Sequence, residues 1–165
     1  MKKILVLILF VMLVLVGCDK KDEPVTKEKR LNVNVEEAFD VFMETFPDSV
    51  VHKIEYKNYV YEIKGHKDDL EHELKLDADS KEIIKKESEV EDNFYGELNR
   101  EDLDNIFDLI AVSEKELTPE FELYKWELEA EHVFTSFEVE FKDGKKEAEF
   151  KYDFDSGELL KKEMD

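Results

Sequence analysis

The segment DADSKEIIKKE at residues 77–87 recurs as DFDSGELLKKE at residues 153–163, 76 positions later. Seven of the eleven positions are identical, and two more exchange Ile for Leu. At the same offset, YEI at residues 61–63 falls on FEV at residues 137–139 without a gap. Chance similarity is the alternative in a chain rich in Lys and Glu. Because turn residues and strand alternation match together, we predict a tandem duplication.

The first half shows the pattern of one helix followed by three strands. Asn34 is placed to cap the helical stripe and Pro47 to end it. Residues 57–58 and 65–69 are the expected hairpin connections, and residues 82–87 form a last short strand. The helical stripe is Val35, Ala38, Phe39, Phe42, Met43 and Phe46, and the alternating strand faces are Val50, His52, Ile54 and Tyr56; Tyr59, Tyr61 and Ile63; and Leu70, His72, Leu74 and Leu76.

The second half repeats this scheme with a different helix offset. Its helical stripe lies 68 rather than 76 residues after the first, so we expect the following loop, residues 113–120, to be eight residues longer. Strands are expected near residues 121–131, 134–142 and 145–153, with Asp143-Gly144 as a hairpin turn. The helical stripe of this half is Leu103, Ile106, Phe107, Ile110 and Ala111.

Together the two patterns predict an α+β fold of two tandem repeats. Each repeat is expected to have one helix packed on an antiparallel sheet of three to four strands. We place the first repeat at residues 33–92 and the second at residues 93–165. About 130 residues are enough to bury a sizeable core.

The repeated segments resemble the PepSY domain family. In the second half the resemblance rests on SFEVEF at residues 136–141, DGK at residues 143–145 and SGELL at residues 156–160. In the first half Lys81 stands where the family has Gly, which puts the geometry of that turn in doubt. The resemblance covers residues 33–165.

What the resemblance implies is a binding module rather than a catalyst. PepSY domains occur in propeptides of thermolysin-type metalloproteases and in secreted or membrane-tethered bacterial proteins, where they are proposed to restrain peptidases locally. The tandem arrangement is also similar to the fold of β-lactamase inhibitor protein. Both likenesses concern the fold, so a function must be argued from a site.

The N-terminus has the pattern of a bacterial export signal. A basic start and thirteen apolar residues at 4–16 precede Gly17 and Cys18, and this run is shorter than the roughly 20 residues that span a bilayer. LVGC at residues 15–18 resembles the lipobox, which implies cleavage between Gly17 and Cys18 and diacylglycerol on Cys18. The alternative is an uncleaved anchor helix with an incidental cysteine. We expect residues 1–17 to be removed and residues 18–32 to be the lipidated tether, because two acyl chains attach a protein stably to a membrane.

The charge of the mature chain restricts its partners. Removal of Lys2 and Lys3 with the signal leaves 22 basic and 44 acidic residues, a formal charge of −22. Nucleic acid is excluded as a partner, because its binding depends on basic residues that displace counterions. Such a charge attracts cations or basic proteins, although a simply solvated acidic surface is the alternative.

Residues that could carry chemistry do not converge in the sequence. The histidines lack the spacing of a zinc site, and His132 aligns with Tyr56 of the first repeat. Residues 153–158 superficially resemble a calcium loop, but Gly157 is fifth rather than sixth and Met164 occupies position twelve, so a β-turn is expected. Catalytic residues, a resident metal and a cofactor are therefore not expected. The four histidines are His52, His66, His72 and His132.

Trp126 has two interpretations. It shares a predicted strand face with Leu128 and Ala130, which favours packing in the core. An exposed tryptophan would instead be an aromatic anchor at an interface.

Two functional hypotheses follow from these patterns. The first is a lipid-anchored module on the extracytoplasmic face of the cell membrane that binds a peptidase or another envelope protein. The second is a cation-binding or cation-sensing envelope protein, motivated by the charge and the two Asp-rich turns.

Overall fold

A computed structural model describes residues 32–91 and 95–165 of the chain. These residues form one antiparallel sheet with two small α-helices, which confirms the predicted α+β class. The first half contains α1 (Val35–Thr45), β1 (Val50–Lys57), β2 (Val60–Lys67), β3 (Leu70–Asp77) and β4 (Ile83–Val90). The second half contains a 3₁₀ helix (Arg100–Asn105), α2 (Ile106–Glu114), β5 (Glu122–Ala130), β6 (Thr135–Asp143), β7 (Lys146–Asp153) and β8 (Leu159–Met164).

The eight strands lie in the order β4-β3-β2-β1-β5-β6-β7-β8, so each half contributes a four-stranded meander. The meanders join where β1 pairs antiparallel with β5, with Glu55 opposite Glu127. The predicted sheet of three to four strands in each half is therefore corrected to one sheet of eight strands. This pairing satisfies backbone groups that would otherwise be exposed at two inner edges.

Tyr61 and Phe137, which the repeat pattern aligns, lie in corresponding strands. Tyr61 is in β2 and Phe137 is in β6, and each strand is third from an edge of the sheet. Tyr61 pairs with Leu76, and Phe137 pairs with Tyr152. Helix α1 packs on β2, and α2 packs on β6. A duplication would produce this arrangement, whereas the origin of the two halves stays a prediction.

Alternating apolar side chains fill the space between the sheet and the helices. Trp126 is fully buried, with its ring 6.2 to 6.3 Å from those of Tyr56, Tyr61 and Phe137. Its core interpretation is therefore correct, and the exposed-anchor alternative is wrong. One row of the core, aligned across six neighbouring strands, is Leu74, Ile63, Ile54, Leu128, Phe137 and Tyr152.

The first helix forms where the sequence predicts it, and the second is partly different. The Asn34 side chain accepts a hydrogen bond from the Glu37 N–H at 2.8 Å, which satisfies one of the unpaired N–H groups of the first turn of α1. In the second half, Arg100–Asn105 form a 3₁₀ helix before α2 begins. Arg100 contacts the Asp40 carboxylate through two nitrogens, at 2.9 and 3.1 Å, and so links the two helical segments.

Two hairpin turns lie one residue later than predicted, and a third occupies only the last two residues of its predicted connection. They comprise residues 58–59, 68–69 and 144–145, instead of 57–58, 65–69 and 143–144. Left-handed backbone marks all three, with φ of 51° at Asn58, 63° at Tyr59, 54° at Asp68 and 60° at Gly144. Tyr59 is therefore a turn residue and not part of a strand face. Its place in an apparent alternation with Tyr61 concealed the turn.

Gly65 lies inside β2 at the point where α1 approaches the strand closely enough to leave no room for a side chain. A Cβ atom at residue 65 would lie 2.8 Å from the Val50 carbonyl oxygen and 2.9 Å from the Phe42 ring. Both distances are shorter than a carbon atom tolerates. The absence of a side chain therefore lets the helix settle on the sheet.

The two repeated turns share a hydrogen bond to the first aspartate. In each, the side chain of the aspartate, Asp77 or Asp153, accepts from the serine N–H three residues later, at 2.7 and 2.9 Å respectively. Lys81 has φ of 65°, and Gly157 at the matching position has φ of 69°. The Lys81 substitution that put the first turn in doubt therefore leaves its geometry unchanged.

The connection after α2 is longer than the one after α1, but by less than predicted. Residues 46–49 join α1 to β1 and residues 115–121 join α2 to β5, which is a difference of three residues rather than eight. The β5–β6 connection is also longer than the two-residue β1–β2 turn. His132 lies in that connection, outside the strands, whereas Tyr56 lies within β1 and pairs with Trp126 of β5. The predicted alignment of His132 with Tyr56 is therefore wrong.

The predicted signal at residues 1–17, with the cleavage position after Gly17, lies outside the described residues. So do Cys18 and all of the tether before residue 32. None of the helices in residues 32–91 and 95–165 is long and apolar enough to cross a membrane.

Candidate functional site

The face of the sheet opposite the helices carries rows of paired charged side chains, and we call it the open face. Strand alternation directs every second side chain away from the core, and in this protein those positions are mainly Lys and Glu. One row crosses all eight strands from β4 to β8. In strand order, the row is Lys85, Lys75, Glu62, Glu55, Glu127, Glu138, Lys151 and Lys161.

This row has four carboxylates at its centre and two ammonium groups at each end. At the boundaries, Lys75 contacts Glu62 at 2.6 Å and Lys151 contacts Glu138 at 2.5 Å. Charges of opposite sign on neighbouring strands stabilise the pairing, and they also hold each side chain in one place. The order of residue types is the same whichever edge of the sheet is taken first.

Two lysines organise the centre of the open face. Lys53 contacts Glu127 at 2.9 Å and Glu129 at 3.3 Å, and Lys125 contacts Glu55 at 2.9 Å and Glu127 at 3.0 Å. Burial alone would raise the pKa of Glu127, but hydrogen bonds and charges from both lysines outweigh it and lower that pKa to about 2. Glu127 is therefore ionised in every neutral or mildly acidic environment.

A histidine cluster lies at one end of the open face. A bulge between Val51 and Lys53 places both Val51 and His52 in buried positions, although the sequence predicted Val50. The His52 ring stacks on Tyr95 at 4.0 Å, and its Nε2 lies 3.3 Å from the Glu71 carboxylate. Burial lowers the pKa of His52 to about 4, even though Glu71 opposes the shift.

Of the remaining histidines, His66 belongs to this cluster, whereas His72 and His132 lie elsewhere in the fold. His66 lies 5.8 Å from His52, ring to ring. His72 lies beneath α1, stacked on Phe46 and hydrogen-bonded to Ser88 at 2.7 Å, and His132 is exposed. In the part of the chain that the structure describes, no three His, Cys, Asp or Glu side chains are arranged to hold a metal ion.

The Asp-rich turns use their carboxylates within the turns themselves. Asp77 accepts hydrogen bonds from two backbone N–H groups, and Asp153 accepts from the N–H and the hydroxyl of Ser156. Hydrogen bonds from the backbone lower the pKa of both carboxyl groups. This is the β-turn that the sequence predicted in preference to a calcium loop.

An aromatic rim borders the open face near the β1–β2 turn. Lys142 lies 3.7 Å from the Tyr124 ring centre and Lys57 lies 5.2 Å from it, so the ring is held between two cations. Tyr59 is 45 % exposed. Both tyrosines line a cleft of about 150 Å³. Sequence analysis missed this rim, because β5 contains a bulge near Tyr124 that simple alternation does not reveal.

Comparisons with known proteins agree with this description of the fold. Residues 32–87 match the model of the PepSY family, described as peptidase propeptide and YPEB domain, so the first half is similar to that family. The sequence analysis had placed the stronger resemblance in the second half. The match extends through Lys81, where the structure keeps the turn geometry of Gly157.

The chain also resembles the crystal structure of a candidate lipoprotein, CD1622, from Clostridium difficile 630. The two share 21 % sequence identity with a TM-score of 0.64, and the alignment covers 82 % of this chain and 95 % of the other. At this identity the likeness establishes a common fold. No curated protein sequence matches the chain.

Proposed function

We propose that this protein is a non-catalytic, lipid-anchored extracytoplasmic module that binds a basic region of a peptidase or another envelope protein through its open face. In this proposal residues 1–17 are removed, Cys18 carries the lipid, and residues 18–32 tether two PepSY-like repeats of common origin. The PepSY match and the fold shared with a candidate lipoprotein support this assignment.

The observation that carries the proposal is the fixed central group of carboxylates on the open face. Glu55, Glu62, Glu127 and Glu138 occupy adjacent strands, and lysines at 2.5 to 3.0 Å hold their side chains in position. A partner that contacts ordered groups loses less conformational entropy than one that must order flexible chains. The excess of acid in the chain favours a basic partner, which would be steered toward this face.

Tyr59 and Tyr124 at the rim supply the apolar contacts that such an interface needs. Tyrosine is enriched among residues that dominate binding energy, because its ring adds contact area with few torsions to order. Tyr59 has φ of 63°, and its carbonyl accepts a hydrogen bond from Ala78 N–H at 2.8 Å. The turn therefore holds this side chain outward at a cost in backbone strain.

The direct test is capture of partners from envelope extracts with residues 19–165, which contain every described residue. A Glu55→Gln/Glu138→Gln variant weakens the open face. A Glu44→Gln/Asp108→Asn variant makes the same change in charge at exposed positions of the two helices. We expect partners to be retained at low salt by the wild type and the helix variant, and to be lost from the open-face variant. Capture of nothing, or equal loss from both variants, would contradict the proposal.

The anchor is tested separately. Radiolabelled palmitate should enter the wild-type protein made in cells and should not enter a Cys18→Ala variant. Calorimetry with millimolar calcium tests the cation-binding alternative. Heat of binding that disappears in an Asp77→Asn/Asp153→Asn variant would favour it, although both carboxylates already serve their turns.

A further inference from the structure

A second cleft lies away from the open face, at the connection between α2 and β5. Its volume is about 270 Å³. Three backbone hydrogen bonds of 3.1 Å fold the connection back on itself, from residues 116, 117 and 121 to residues 113, 114 and 118. The lining residues are Glu114, Leu117, Thr118, Pro119, Phe121 and Phe141. Four of these six residues are apolar, and one carries a carboxylate.

Glu114 differs from three other partly buried carboxylates of the described chain, each of which has a basic partner. Glu71, Glu73 and Glu127 each contact a lysine at 2.9 to 3.0 Å. The Glu114 carboxylate makes no hydrogen bond or ion pair with any described residue, and burial raises the pKa of this group. A carboxylate that loses water without gaining a partner is unfavourable in the free protein, and a cation would remove that penalty.

The helix adds to the attraction for a cation. Glu114 is the last residue of α2, where unpaired carbonyl groups and the helix dipole produce a negative potential. The last turn of α2 contains no basic residue. The nearby Lys162 ammonium is engaged with the exposed Glu116 at 3.3 Å. The described residues therefore supply no positive charge to this carboxylate, and the site is free to accept a cation from another molecule.

We propose that this cleft receives an arginine or lysine side chain of the bound partner, with its charged end at Glu114 and its aliphatic stem against Leu117, Phe121 and Phe141. The proposal rests on the proposed function, since it names the chemistry of a second contact with the same partner. Long basic side chains are suited to the cleft, because they combine an apolar stem with a terminal charge. A cleft of about 270 Å³ accommodates one such side chain.

The cleft also distinguishes the two halves of the protein. In the first half the matching connection has only residues 46–49, and Phe46 is buried there, stacked on His72 at 4.4 Å. The charged row of the open face is the same from either edge, so by itself it would allow a partner to bind in two opposite orientations. One cleft on one side would select a single orientation.

The test uses n-butylguanidinium, which has one cation on an apolar stem, and its neutral counterpart n-butylurea. Backbone amide shifts of residues 19–165 are followed by NMR. We expect n-butylguanidinium to shift the amides of residues 113–121 and of Phe141, and n-butylurea not to do so. Glu114→Gln should weaken binding about tenfold, the loss expected when a hydrogen bond to a charged group is removed. Glu116→Gln is the matched control and should bind as the wild type does.

Shifts spread over the open face, or unchanged binding by Glu114→Gln, would overturn the proposal. A captured partner extends the test, because Glu114→Gln should lower its affinity about tenfold while Glu116→Gln does not. If a partner binds but the probe and Glu114→Gln have no effect, the cleft is rejected and the proposed function stands. If the probe binds but no partner is captured, the cleft is not a partner contact and the proposed function fails with it.

Discussion

Gly65→Ala tests whether close approach of α1 to the sheet fixes the fold of the first half. The added methyl carbon would lie 2.8 Å from the Val50 carbonyl oxygen and 2.9 Å from two atoms of the Phe42 ring. A ring can turn, but a backbone oxygen cannot move without disturbing β1. Overpacking of this kind costs about 1–3 kcal/mol, and the better strand propensity of Ala returns about 0.5–1 kcal/mol. We therefore expect the free energy of unfolding to fall by about 1–2 kcal/mol.

The assay is urea denaturation followed through Trp126, the one tryptophan of the chain, which is buried. We expect a lower midpoint with an unchanged slope, and a melting temperature reduced by about 4–8 °C. A double-mutant cycle with Phe42→Leu supplies the control. Because leucine lacks the two ring atoms that the methyl meets, the double variant should lose less than the sum of the single losses. A Gly65→Ala protein as stable as the wild type would refute the reasoning.

Three further predictions concern stability. Because folding lowers the pKa values of His52 and Glu127, the free energy of unfolding should decrease as the pH falls. The loss should occur from about pH 6.5 to 4 for His52 and from pH 4.5 to about 2 for Glu127. His52→Gln or Glu127→Gln should flatten the matching part of a plot of the urea midpoint against pH. Both Lys81 and Gly157 have left-handed φ. Lys81→Gly should therefore raise the free energy of unfolding by up to about 1 kcal/mol, and Gly157→Ala should lower it by about 1 kcal/mol. A lower melting temperature for Lys81→Gly, or a higher one for Gly157→Ala, would contradict this. Trp126→Ala should cost about 3–5 kcal/mol by circular dichroism in urea, and a loss below 1 kcal/mol would show that the core tolerates the cavity.

The strands could be predicted because their apolar residues alternate over long runs. Helix α1 was similarly clear, since Asn34 and Pro47 mark its two ends. Errors occurred where a local deviation breaks the period. Because of the bulge at Val51 and His52, Val51 is buried instead of the predicted Val50. The turn at Tyr59 lies within residues that alternate as a strand would. Neither deviation changes the composition of the segment, so a pattern cannot show it.

The candidate sites were less predictable than the fold, because they depend on which strands become neighbours. Nothing in the sequence indicates that Glu55 lies opposite Glu127, since they are 72 residues apart and join two otherwise separate meanders. The Glu114 carboxylate likewise has no ion pair because the nearby Lys162 pairs with Glu116 instead. The sequence shows the number of carboxylates, whereas which lysine each one pairs with is a property of the folded sheet.

The place where the described chain begins determines what the proposed anchor would leave accessible. Val33 is buried on the helix side of the sheet, where its N–H donates to the Ala78 carbonyl at 3.0 Å and its own carbonyl accepts from the Tyr61 hydroxyl at 3.5 Å. The described chain therefore begins behind the sheet rather than at its charged surface. In the proposed lipid-anchored protein, attachment at that end would leave the open face accessible to a large partner in the envelope.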